Sequence, residues 1–236
     1  MFNKISPLIL SVLLLLVLSG NANNLPVLAV SFLALVLGSV YLNYRRFKLA
    51  WPHLLLPVLF LTGVFSIYTI VSTQWLKITF TLISVLSFYF LEKHLGKESH
   101  FLQNIYLFSA FSIFTGMFAA QFYFNLNHWF LTLLVFFVSY LLIAQGFAGF
   151  VLPSKRYFSF LTALVCSEIA LGIAFWPTHF LVDAVILFCS FYLLWIFAFS
   201  AFFGKLTMKK IYWQLIMVLF VLLATLTSAQ WKPLVR

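Results

Sequence analysis

Acidic residues are scarce in this chain. Its 236 residues include four Asp and Glu against 14 Lys and Arg, and all charged residues together make up 8%. A soluble domain is about 25% charged and about 45–50% apolar. With 64% hydrophobic residues, too few charges remain to coat a folded surface in water. Cysteine is scarce too: Cys166 and Cys189 both fall inside apolar runs, and neither CxxC nor zinc-type spacing occurs. That excludes a cysteine-based zinc module and a disulfide framework. Nothing in the chain reads as a Pro/Gly-rich linker or a low-complexity segment. Catalytic signatures are missing: no GxSxG, no Walker A, no GxGxxG opening a helix and no paired aspartates to hold magnesium against a diphosphate.

What is present are long apolar runs broken by short polar stretches. Runs such as WFLTLLVFFVSYLLIA, 129–144, do not alternate in polarity as barrel strands do. About 20 apolar residues in a helix cross the hydrocarbon. The expected fold is therefore all-α, a polytopic transmembrane helical bundle with short loops, forming one integral membrane domain over 1–236. Nine spans are expected at 5–19, 25–42, 52–72, 75–91, 102–124, 129–151, 157–176, 179–203 and 211–228. The first run also fits a cleaved signal peptide, because Gly20 and Ala22 have signal-peptidase spacing; cleavage would leave eight spans. Pro26 and Pro177 stand near helix starts, where a missing N–H is harmless, whereas Pro57 is expected to kink the third span.

A shift of 51 residues aligns Tyr106 with Tyr157, Ala119 with Ala170, Phe124 with Phe175, His128 with His179 and Ser139 with Ser190. The unit would be a helical hairpin, 103–152 and again 154–203, with histidine at its turn. Duplicated bundles of this kind are common among transporters.

The net charge of +10 is spread over short loops without a basic domain, so nucleic acid is not an expected partner. Anionic lipid headgroups are. With the N-terminus cytoplasmic, eleven Lys and Arg fall on the inner side and Lys77, Lys232 and Arg236 on the outer. The positive-inside rule thus predicts a cytoplasmic-membrane protein with its C-terminus outside. Six of the seven tryptophans fall at predicted span ends, the depth tryptophan favours.

Against this background two acids stand out in CSEIALGIAFWPTHFLVDA, 166–184. Glu168 lies about 12 Å below the predicted outer boundary and Asp183 about 6 Å below it, on adjacent antiparallel helices. A charged group there costs roughly 2.5–3.5 kcal/mol on insertion scales, so both are expected to face the bundle. Ala163, Ser167, Ala170 and Ala174 make a smooth stripe on the seventh span. Glu168 shares another side with Val165 and Gly172, so this span is expected to be packed on two sides and central. Lys77, His128 and His179 are the groups placed to balance the acids, with Gln121, Asn125 and Asn127 adding hydrogen bonds. His179 and Asp183 have metal-compatible i, i+4 spacing, but a site needs three protein ligands, so no metal is expected. The segment EKHLGKESH, 92–100, holding Glu92 and Glu98, reads as a solvated turn. The 31 phenylalanines come without the polar anchors a cofactor pocket needs, and no cofactor is expected.

Three functions remain open. The leading one is a small transporter or permease-like protein with a cation or proton site at Glu168, Asp183, His179, Lys77 and His128. The second is a non-catalytic structural or assembly subunit, whose acids meet a partner's helix or its own. The third is a membrane enzyme acting on a lipid-linked substrate, the least favoured because the outer half is poor in cations.

Overall fold

The computed structural model describes residues 2–20, 25–47, 51–95, 100–147, 154–202 and 207–229. Several expectations fall outside these residues: the cleavage spacing at Ala22, Glu98 and the C-terminal Lys232 and Arg236.

Every element among the described residues is an α-helix: α1 Phe2–Gly20, α2 Leu25–Phe47, α3 Trp51–Ile70, α4 Gln74–His94, α5 His100–Phe124, α6 His128–Gly146, α7 Lys155–Ile173, α8 Phe180–Phe202 and α9 Met208–Ser228. Eight are long and apolar enough to cross a bilayer, while α1 has the shorter apolar stretch Ser6–Gly20. The chain is thus an all-helical, multi-pass membrane bundle. In lipid every backbone N–H and C=O must be satisfied within the segment, which is why helices are the solution. Hydroxyls follow the same rule: Ser11, Ser109, Thr132, Ser159 and Ser190 each donate to the carbonyl four residues earlier.

The helices form two compact units, Met1–Ile113 and Phe114–Arg236, with the division inside α5. In the first unit α1 packs against α2 and α4, and α3 against α2 and α4. Leu10, Leu14 and Leu18 turn one stripe of α1 inward, and the Tyr68 hydroxyl of α3 donates to the Leu18 carbonyl. Phe60 of α3 stacks on Phe88 of α4 (5.9 Å) and touches Phe108 of α5 (6.1 Å). α3 continues as one helix through Pro57, although that residue offers no N–H. At Gly63 α3 and α5 come close: a Cβ there would lie 2.8 Å from Ser112 Cβ and 3.2 Å from the Ser109 carbonyl.

In the second unit α6 and α7 form the most extensive pairing, and α8 packs on α7 and α9. Leu131, Val135, Ser139, Leu142 and Ile143 are the buried residues of α6, one stripe at helical spacing. On α7 the buried residues include Ser159, Thr162, Ala163, Cys166, Ser167 and Ala170. The small-residue stripe read from the sequence is therefore the packing seam, as close approach between membrane helices requires. α9 is apolar on nearly all sides and mostly exposed, tied to α8 where the Tyr192 hydroxyl donates to Gln214 Oε1 (2.6 Å). Outward-facing leucine, valine and phenylalanine are what lipid contact calls for.

Candidate functional site

The α7–α8 turn builds around its own polar groups. Backbone N–H groups of Val182 and Asp183 bond to the His179 carbonyl (2.8 and 3.5 Å) and open α8. Asp183 sits in the first turn of that helix, where a negative charge is stabilised by unpaired N–H groups and the helix dipole. It is 7% exposed, and the Thr178 hydroxyl donates to its Oδ1 at 2.5 Å. His179 stays exposed at its edge, its Nδ1 accepting from the Leu181 amide at 3.4 Å. Its ring lies against Phe180 (4.1 Å) and Phe122 (5.6 Å). That apolar cover desolvates the imidazolium and holds the His179 pKa below the ordinary value of 6.5.

The α5–α6 turn is constructed similarly. Asn125 takes a left-handed conformation (φ 51°), a backbone region that asparagine tolerates better than most residues. Asn127 caps α6 by accepting from the Trp129 amide (2.9 Å). The Gln121 side-chain amide and His128 Nδ1 are hydrogen-bonded at 2.7 Å. The His128 ring rests on Phe175 (4.8 Å). Asn125 and Asn127 are thus turn-builders, not donors to the acids.

Glu168 departs from its expectation. The stripe Ser159, Ala163, Cys166, Ser167, Ala170 and Ile173 takes up the packed side of α7, and Glu168 lies on the exposed side. At 100° per residue it shares that side with Tyr157, Leu161, Leu164, Val165 and Gly172, all exposed. It makes no hydrogen bond or ion pair among the described residues. It is five residues from the end of α7 at Ile173, about 7.5 Å along the helix, and hence inside the apolar span. The helix is packed on one side and open on the other because its small residues cluster on a single stripe. Glu168 does not face the packed side of α7 in the second unit.

Lys77 belongs to the first unit. Its ammonium lies over the Tyr68 ring, 5.3 Å from the centroid, a cation–π contact at the start of α4.

The sequence reading missed Glu92. Placed there in a solvated turn, it is instead 1% exposed at the end of α4. The Ser39 hydroxyl donates to Oε1 at 2.6 Å. The Asn43 amide donates to Oε1 at 3.0 Å and Oε2 at 2.8 Å. Asn43 and Ser39 are four residues apart on α2 and 3.2 Å from each other, 1% and 0% exposed respectively. The signal that could have found this group was Ser39 and Asn43 at i, i+4 in a span otherwise apolar, needing an acceptor of their own. The polar atoms stand at hydrogen-bond distance from one another and join α2 to α4.

Among the described residues no group of three or more His, Cys, Asp or Glu side chains is placed to hold a metal ion. Cys166 and Cys189 are both buried and unbridged. An open cleft of about 380 Å³ between α8 and α9 is lined by Phe197, Ala198, Ala201 and Ile211, with no ionisable group among them. No family model, curated protein or solved structure matches this chain.

Proposed function

We propose that this chain is a non-catalytic subunit of a membrane complex and docks on a partner through the exposed side of α7. One observation carries the reading: Glu168 is exposed among apolar neighbours on one side of α7, within a helix long and apolar enough to span a bilayer. Left in lipid, the carboxylate costs roughly 2.5–3.5 kcal/mol. Acyl chains supply no hydrogen-bond donor, whereas another polypeptide does. The other two acids with described surroundings already have neighbours: Asp183 receives Thr178, and Glu92 receives Ser39 and Asn43. A transport site would gather its acids around a polar cavity, and Glu168 and Asp183 have separate surroundings. The excess of Lys and Arg in alternate loops supports a place in the cytoplasmic membrane, N-terminus inside and C-terminus outside.

The test is the state of the full chain extracted from its native membrane in mild detergent. The expected result is a defined assembly larger than the 27.2 kDa chain, which Glu168→Leu dissociates while the chain itself stays folded. A monomer in such extracts, combined with pH-dependent ion uptake into vesicles that Glu168→Gln abolishes, would return the molecule to the transport reading.

A further inference from the structure

We infer that the partner is a different polypeptide, whose membrane-spanning helix sets a lysine or arginine against Glu168 and brings its backbone close at Gly172. The inference rests on the assembly reading and specifies what docks.

The carboxylate names the chemistry. Within a membrane, ionised side chains pair with one another or with backbone carbonyls, and a carboxylate has no use for a carbonyl. A cation at the depth of Glu168 is the complement that removes its desolvation cost.

Gly172 names the geometry. It lies one turn beyond Glu168 on the same side of α7. A Cβ built on it would meet nothing within 4 Å, so no contact inside this chain calls for glycine there. Gly172 is the next-to-last residue of α7. What it offers is room for a second backbone to approach, the role small residues have between membrane helices. Tyr157, Leu161, Leu164 and Val165 extend the same face toward the start of α7 and remain exposed.

A second copy does not fit. A bilayer gives every copy the same orientation, so a two-fold pairing through α7 would set two Glu168 side chains at one depth. Like charges there repel. The basic residues of α7 itself, Lys155 and Arg156, lie 12–13 positions away, about 18–20 Å along the helix.

The experiment places a photo-crosslinking amino acid at Val165 of the full chain, expressed in its own membrane, and sequences the crosslinked peptide. It is run with wild type, Glu168→Gln, Glu168→Lys, Gly172→Ala and Gly172→Leu. Because Glu168 and Gly172 are exposed and the space at Gly172 is open, these variants keep the fold, which thermal unfolding of each purified chain verifies. The expected result is an adduct with another polypeptide, through an apolar segment that contains Lys or Arg. Its yield falls about tenfold or more in Glu168→Gln and Gly172→Leu, and survives in Gly172→Ala. In Glu168→Lys it is lost, and returns when the partner's base is changed to glutamate. An adduct with a second copy, a partner segment without a base, or full yield in Glu168→Gln overturns this inference and leaves the assembly reading standing. No protein adduct at Val165 in any variant overturns both.

Discussion

At the scale of single residues, many of the chain's few polar groups find a neighbour one turn or one helix away. His179 is the clearest titratable case. Phe122 and Phe180 cover its ring, and desolvation disfavours the imidazolium. Titration of ring signals in selectively labelled protein should give a midpoint below 6.5, and Phe122→Ala should move it back toward that value. The sign for stability follows. The unfolded chain takes up this proton at a higher pH than the folded one, so stability is lost as pH falls through the window below 6.5 and is retained above it. Glu92 offers a second test. Asn43→Ala removes the amide that reaches both carboxylate oxygens and should cost about 1–3 kcal/mol, read as a lower unfolding midpoint. Asn43→Gln should recover little of that loss, because its longer side chain carries the amide past the carboxylate.

At the scale of elements, two glycines make opposite predictions from the same substitution. Gly63→Ala drives a methyl group to 2.8 Å from Ser112 Cβ at the α3–α5 crossing, and should destabilise the first unit by about 1–3 kcal/mol through overpacking. Gly172→Ala adds a methyl group where nothing lies within 4 Å, and should stabilise the isolated chain by about 0.4–1 kcal/mol. Thermal unfolding of the two variants side by side checks both. If Gly172→Ala proved as damaging as Gly63→Ala, the outward side of α7 would be packed within this chain after all. α7 is thus two-faced, with small residues on its seam and bulky ones around an acid on its free side, whereas α9 is lipid-facing nearly all round.

At the scale of the whole molecule, lipid as solvent explains the many exposed apolar side chains, and the proposed orientation rests on the asymmetry of the loop lysines and arginines. Single cysteines in a Cys166→Ala, Cys189→Ala background should report this with a membrane-impermeant thiol reagent. A cysteine at Asn127 should label from outside intact cells, and one at His94 only after permeabilisation. The opposite pattern would invert the proposed orientation. The first and second units each have their own helix pairings, and α5 contributes to both. The residue and element predictions above concern one unit at a time for that reason.

The span pattern was legible without coordinates because it depends on local quantities: the length of each apolar run, its lack of alternation and the polar breaks between runs. The Ala163–Ser167–Ala170 stripe was legible for the same reason, since small residues at helical spacing mark a seam wherever the helix sits. What a single sequence could not settle was which remaining side of each helix finds a neighbour. Glu92, near a helix end and among lysines, reads as solvated, yet Ser39 and Asn43 of another helix reach it. Glu168, deep in a span, reads as enclosed, yet α6 and α8 leave its side of α7 open. Position along a helix comes from counting residues; direction around it is fixed only when other helices pack. Tertiary structure therefore decided that Glu92 and Asp183 receive hydrogen bonds and that Glu168 stays on the exposed side of its helix.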